Sequence, residues 1–217
     1  MRPDVDSEEK GLPLPSRGAE PLQPVPPAPA TLRQMLRHAT DASHQRLHLD
    51  PAMRDLFAGN LDVAAYARLL RRSLALHEPI ERALERHDSS PLFAWRLAWP
   101  PPRRAALLRA DLVALGQAAT APALPVPRFD TAAAALGCAW VVEGSALGAR
   151  LIWRRLQDQP HLAAASGFFA ADPDQPRRWA ACCDALESGA ADAAFRAEAL
   201  AGAQATFAAF EAGLNGS

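Results

Sequence analysis

From Thr31 onward, apolar residues recur at spacings of three and four almost without interruption, which is the period of an α-helix. Leu32, Leu36, Ala39, Ser43 and Leu47 form the first stripe. A capping-box pattern opens it, Thr31 with Gln34 three residues on, and Pro51 closes it. A short piece over about 52–58 stops at Gly59-Asn60. Asp62 is a suitable N-cap for a long helix reaching about His87, and Pro79 inside it predicts a kink. The aromatic-rich residues 91–99 predict a short helix. Pro101-Pro102 start another that ends at Gly116, and 117–129 form a proline-containing loop. Asp130 or Thr131 caps a long helix to about Asp158, interrupted in texture by Gly137, Gly144 and Gly148. A segment near 161–170, a helix over about 176–187 and a last one over about 190–213 complete the pattern. Strand signals are scarce: Ile80 and Ile152 are the only isoleucines, and no Val, Ile and Thr run alternates. The expectation is an all-α, single-domain bundle of seven or eight helices.

The first 30 residues break this pattern. They hold eight prolines and a mixed charge run, cannot bury enough apolar surface to offset their ordering entropy, and read as a disordered, Pro-rich tail (1–30) ahead of the helical domain (31–217). The balance of 23 Lys+Arg against 24 Asp+Glu gives no field to gather nucleic acid. No run of 18 apolar residues occurs, so no membrane span is expected, and the acidic N-terminus lacks the apolar stretch of a secretory signal. Three cysteines, two of them adjacent (Cys182 and Cys183), read as reduced thiols in a cytoplasmic protein.

Three places can carry chemistry. In Leu36–His48, His44 borders the apolar stripe, where an imidazole can face a pocket and ligate iron. Arg37 lies two turns earlier on nearly the same line, about 10 Å along the axis. A lone helical histidine is more often a partly exposed side chain, and the His44/His48 spacing alone also suits zinc, without a third ligand of matching spacing. In Val141–Arg150, Gly144 and Gly148 share one helix face, which lets the backbone approach something flat or another helix. Arg155, seven residues beyond Gly148, can meet an anion on that side or simply complement the helix dipole.

Together these segments resemble the haem oxygenase family. "LRHATDASHQRLH" is similar to its proximal-helix motif, whose final His (here His44) is the iron ligand. "LGCAWVVEGSALGARL" is similar to the distal-helix motif of the bacterial branch, an aromatic followed by E-G-S-x-L-G. The resemblance spans residues 31–213. It implies haem held between a proximal and a kinked distal helix and opened to biliverdin, CO and ferrous iron, with O2 and electrons from a reductase or ferredoxin. By position it makes His44 the neutral axial ligand and metal-binding residue, and Gly144, Ser145 and Gly148 the catalytic distal wall. Arg37 and Arg155 match propionate-binding positions. Phe207 on the last helix walls the pocket or packs the core, as does Phe210. Mammalian-type members carry Asp where Ser145 stands, so Ser145 marks the bacterial branch. Trp140 stands near a position often held by Tyr and has one N–H and no hydroxyl, which argues against a propionate contact from it. The E-G-S form also resembles enzymes that supply biliverdin to bacteriophytochromes, and those used in iron acquisition. Three other readings compete: a non-catalytic haem carrier or sensor of the same fold, a two-iron helical oxidase using His77, Glu78 and Glu81, and a purely structural helical module.

Overall fold

The structure is a computed structural model that describes residues 30–215 apart from 123. The Pro-rich tail lies outside the described residues. Among these there are nine α-helices, two single 3-10 turns and no strand. The helices are α1 (Leu32–Leu49), α2 (Pro51–Ala58), α3 (Val63–Glu85), α4 (Trp95–Ala98), α5 (Arg104–Ala114), α6 (Ala132–Gln157), α7 (Pro160–Ala163), α8 (Gln175–Ser188) and α9 (Ala193–Asn215). Two of them, α4 and α7, are single turns, which leaves seven of substantial length.

Local chemistry sets most boundaries. Thr31 closes the expected capping box with Gln34, and Glu187 of α8 accepts the free N–H groups of Leu32 and Arg33 at 3.2 and 3.1 Å. The start of α1 is thereby tied to α8. Asp50 caps α2 ahead of Pro51, and Gly59 ends it in the left-handed region (φ 74°). Asp62 caps α3 and Thr131 caps α6. One boundary differs from the sequence reading. Pro101-Pro102 precede α5 rather than open it; the helix begins at Arg104, where the Glu81 carboxylate on α3 accepts the Ala105 N–H at 3.1 Å. A tertiary contact fixes that start. The segments at 91–99 and 161–170 each divide into a 3-10 turn and a single α-turn.

The bundle has two apolar cores. One gathers Leu32 and Leu36 of α1, Ile80 to Leu84 of α3, the first half of α6, and Leu186, Ala199, Ala203 and Phe207 of α8 and α9. The other gathers Leu56, Tyr66 to Leu74 of α3, Leu108 and Leu112 of α5, and Ile152 and Leu156 of α6. Both α3 and α6 run through the two cores. By length and composition α6 is apolar enough to cross a membrane, but half of that stretch is buried here within the bundle.

The closest helix approach is that of α6 on α9. A Cβ on Gly137 would lie 2.0 Å from the Ala199 carbonyl oxygen, and one on Gly202 would lie 2.0 Å from that of Ala134. Two backbones touch where each lacks a side chain. Gly137→Ala or Gly202→Ala is therefore expected to cost about 1–3 kcal/mol or more in urea unfolding, because neither carbonyl can move without moving its helix.

His77 on α3 is buried between Phe168 and Phe210 (ring centroids 5.2 and 5.5 Å), and its Nδ1 has no partner. Burial, reinforced by the nearby Arg104 cation, pushes its pKa down to about 3. A folded-state value below the ordinary 6.5 means the neutral form is the one that folds. The shift leaves stability untouched above pH 6.5, where folded and unfolded states are both neutral, and destabilises the fold increasingly as pH falls from there toward 3, by up to about 4–5 kcal/mol. The urea midpoint of the wild-type chain should fall between pH 7 and 4, and that of His77→Leu should fall much less.

Candidate active site

The two sequence-predicted segments occupy the parts of their helices that the cores leave uncovered. In α1 the buried positions are Leu32, Leu36 and Thr40; from Asp41 to Leu49 none is buried. In α6 burial is nearly continuous to Glu143, absent from Gly144 to Leu151, and resumes at Ile152. Both helices pack against α9 and barely meet each other, while α2 touches both.

On α1, His44 is exposed. Its ring stands edge-on to Phe207 of α9 (centroids 6.1 Å) and to His48 (4.6 Å), and His48 in turn stacks on Phe57 of α2 (5.8 Å). Partial burial, then the neighbouring His48 and Arg37, pull the His44 pKa below its ordinary value; Asp41 opposes them. The imidazole is thus held neutral, the form that ligates metals. Arg37 is exposed and in no ion pair among the described residues.

On α6 the two glycines differ. Nothing lies within 4 Å of a Cβ added to Gly148, whereas one added to Gly144 would sit 3.1 Å from the Trp179 indole of α8. Packing against a helix accounts for Gly144, and an open wall accounts for Gly148. Leu147 and Leu151, one turn apart, are 49% and 54% exposed beside the open glycine. With the bare main chain of Gly148 they leave an apolar strip on which a flat ligand can rest. Ser145 is exposed, and its hydroxyl donates to the Val142 carbonyl at 2.8 Å. Arg155 is exposed, in the last turn, and in no ion pair among the described residues. Trp140 is half-buried against Trp179 (centroids 5.9 Å), and its indole N–H is buried without a partner.

The residues present suit a flat, largely apolar macrocycle with carboxylate arms. They offer a neutral imidazole backed by an aromatic ring, a wall of leucine and bare main chain, and cations at the rim. The competing two-iron site does not assemble. Glu78 is engaged by Arg82 and Arg109 at 2.5 and 2.7 Å, Glu81 caps α5, and His77 is enclosed by phenylalanines. Among the described residues, no group of three or more His, Cys, Asp or Glu is placed to hold a metal ion.

Comparison with known proteins decides the family. The family model described as Heme oxygenase matches residues 30–215. A haem oxygenase of Xanthomonas campestris is 39% identical over 164 residues, which are 73% of this chain and 93% of that protein. The chain belongs to the haem oxygenase family. Solved haem oxygenases share the fold. That of Neisseria meningitidis, determined with NO and CO bound, superposes with a TM-score of 0.67 at 21% identity, covering 85% of this chain and 90% of that one. That of Leptospira interrogans gives 0.65 at 18% identity, covering 85% and 98%. The haem complex from the cyanobacterium Synechocystis gives 0.55 at 14%, covering 86% and 91%.

Behind this haem oxygenase surface lies a feature the sequence reading missed. Glu143, one residue before Gly144, is buried, and its carboxylate receives the Arg178 guanidinium at 3.3 Å. Arg178 also binds Asp172, and Arg104 is buried close by. A signal was available. Arg178 shares a helix line with Cys182 and Leu186, and Arg104 with Leu108 and Leu112, so each is a charge on an apolar stripe. A cavity of about 210 Å3 adjoins this group, lined by His77, Glu81, Arg104 and Glu143 among others.

The contrast between the glycines is measurable without ligand. Gly148→Ala should stabilise the protein by up to about 1 kcal/mol in urea unfolding, the helix-propensity gain of a residue with open space around it. Gly144→Ala should lose most of that gain or reverse it by displacing Trp179.

Proposed function

We propose that this chain binds haem between the exposed half of α1 and the uncovered stretch of α6 and cleaves it to biliverdin, CO and ferrous iron. O2 and electrons come from outside, the latter from a reductase or ferredoxin. The carrying observation is that the neutral, exposed His44 and the open, leucine-flanked Gly148 occur on the only two helix stretches that carry the family's motifs, in a chain of that family.

Haem is substrate and cofactor at once: its iron activates dioxygen and its own ring is what is opened. The chain's residues set the conditions. His44 holds the iron through its imidazole, and Phe207 limits the tilt of that ring. A neutral histidine gives less electron push than a thiolate. Gly148 presents bare main chain and would keep bulky acids and bases off the distal face, so that the helix would steer the reacting ring edge; Gly144, turned to Trp179, lets α8 close on α6 beside that wall. Ser145 can release Val142 and present its hydroxyl to hold or pass a proton. Arg37 and Arg155 pair with the propionates and fix the in-plane orientation. We place the protein in the cytoplasm. We further propose that it hands biliverdin to a bacteriophytochrome, one of the two roles its E-G-S motif fits, the other being iron acquisition.

Haemin followed by reductant in air is the test. The Soret band should vanish as a biliverdin spectrum appears; a stable ferrous spectrum would identify a carrier of the same fold. His44→Ala should abolish turnover and alter the haem spectrum, while His38→Ala and His48→Ala should retain both. Arg155→Ala should weaken haem binding or scatter the biliverdin isomers.

A further inference from the structure

Three side-chain donors converge on two consecutive main-chain carbonyls of α6. The Val142 carbonyl accepts Ser145 Oγ at 2.8 Å and Arg104 Nη2 of α5 at 3.4 Å. The Glu143 carbonyl accepts Gln175 Nε2 of α8 at 3.0 Å. These oxygens are the ladder acceptors for the N–H groups of Ala146 and Leu147, the turn that spans Gly144. The Glu143 side chain is held from the same direction by Arg178 at 3.3 Å, and Arg178 is anchored to Asp172. All three donors from outside α6 are buried: Arg104 is 6% exposed, Gln175 7% and Arg178 1%.

A carbonyl oxygen has two lone pairs, so a second donor from a neighbouring helix can hold it in place without displacing the ladder N–H. Here the donors come from two different helices and are buried, so this turn of α6 is held from two sides. Two buried cations (Arg104, Arg178) face the buried Glu143 and the partly exposed Asp172, and taking such charges from water is costly unless geometry is satisfied. Isolated packing of α6 would not require it.

We infer that Arg104, Gln175 and Arg178 are positioning residues that clamp α6 at Gly144 and so set how closely the wall at Gly148 approaches the ring. This rests on the haem reading of the site, but the clamp itself is testable without haem. Amide hydrogen exchange on the unliganded full chain should show the amides of Ala146 to Gly148 exchanging at least tenfold faster in Gln175→Leu and in Arg104→Met, with α9 unchanged. Gln175→Glu should not restore the slow rate, since a carboxylate cannot donate to the carbonyl, and Arg178→Lys should raise the rate as well, since one ammonium cannot bridge Glu143 and Asp172 as the guanidinium does. Unchanged or slower exchange at 146–148, or an equal rise over α6 and α9, overturns the clamp. In the loaded enzyme, Gln175→Leu should shift the biliverdin isomer ratio while keeping the wild-type haem affinity; an unaltered ratio also counts against it. Failure of the wild-type chain to bind haemin overturns the site reading and leaves the exchange result standing.

Discussion

Everything about the site depends on the contact of α6 with α9 at Gly137 and Gly202. With a carbonyl of each helix seated where the other has no Cβ, the two axes come as near as backbones can. That contact settles three things together. It seats the first half of α6 in a core with Ala199 and Ala203. It orients α9 so that Phe207 reaches the ring of His44. It also leaves the second half of α6 free to pass over the other core. Between the two cores no residue of α6 from Gly144 to Leu151 is fully buried, and this partly uncovered stretch is the geometric remainder of a helix shared by both.

Polar groups refine what the glycines begin. The apolar packing of α6 is nearly featureless in direction, because alanine and small residues dominate its buried face. Buried arginine and glutamine on α5 and α8 supply directional bonds to its main chain. Hydrophobic burial thus gives the stability, and a few hydrogen bonds give the register. The division resembles that of His44, whose protonation state follows mostly from partial burial while its ring plane follows from two aromatic neighbours.

Much of this architecture was readable in the chain. Helix after helix begins at its expected cap, as at Thr31, Asp62 and Thr131, since capping is a contact between residues two or three apart. The start of α5 was not readable, because its cap is Glu81 on another helix. The site divides the same way. His44, Gly148 and the exposed arginines sit on recognisable motifs, and the structure leaves them uncovered. Gly144 looked equivalent to Gly148 by spacing, and only the approach of Trp179 from α8 separates them. Arg178 and Arg104 interrupt apolar stripes, but Glu143, the carboxylate that both face, lies 35 positions from Arg178 and further from Arg104, beyond the reach of any local pattern.

The uncovered leucines of α6 have a cost in the living cell. Leu147 and Leu151 present greasy surface to chaperones and proteases for as long as nothing rests on them. A tightly held occupant would cover that surface and draw the folding equilibrium toward itself by mass action. The lifetime of this polypeptide should then rise and fall with the supply of its own substrate, so that abundance is matched to demand without any dedicated regulator.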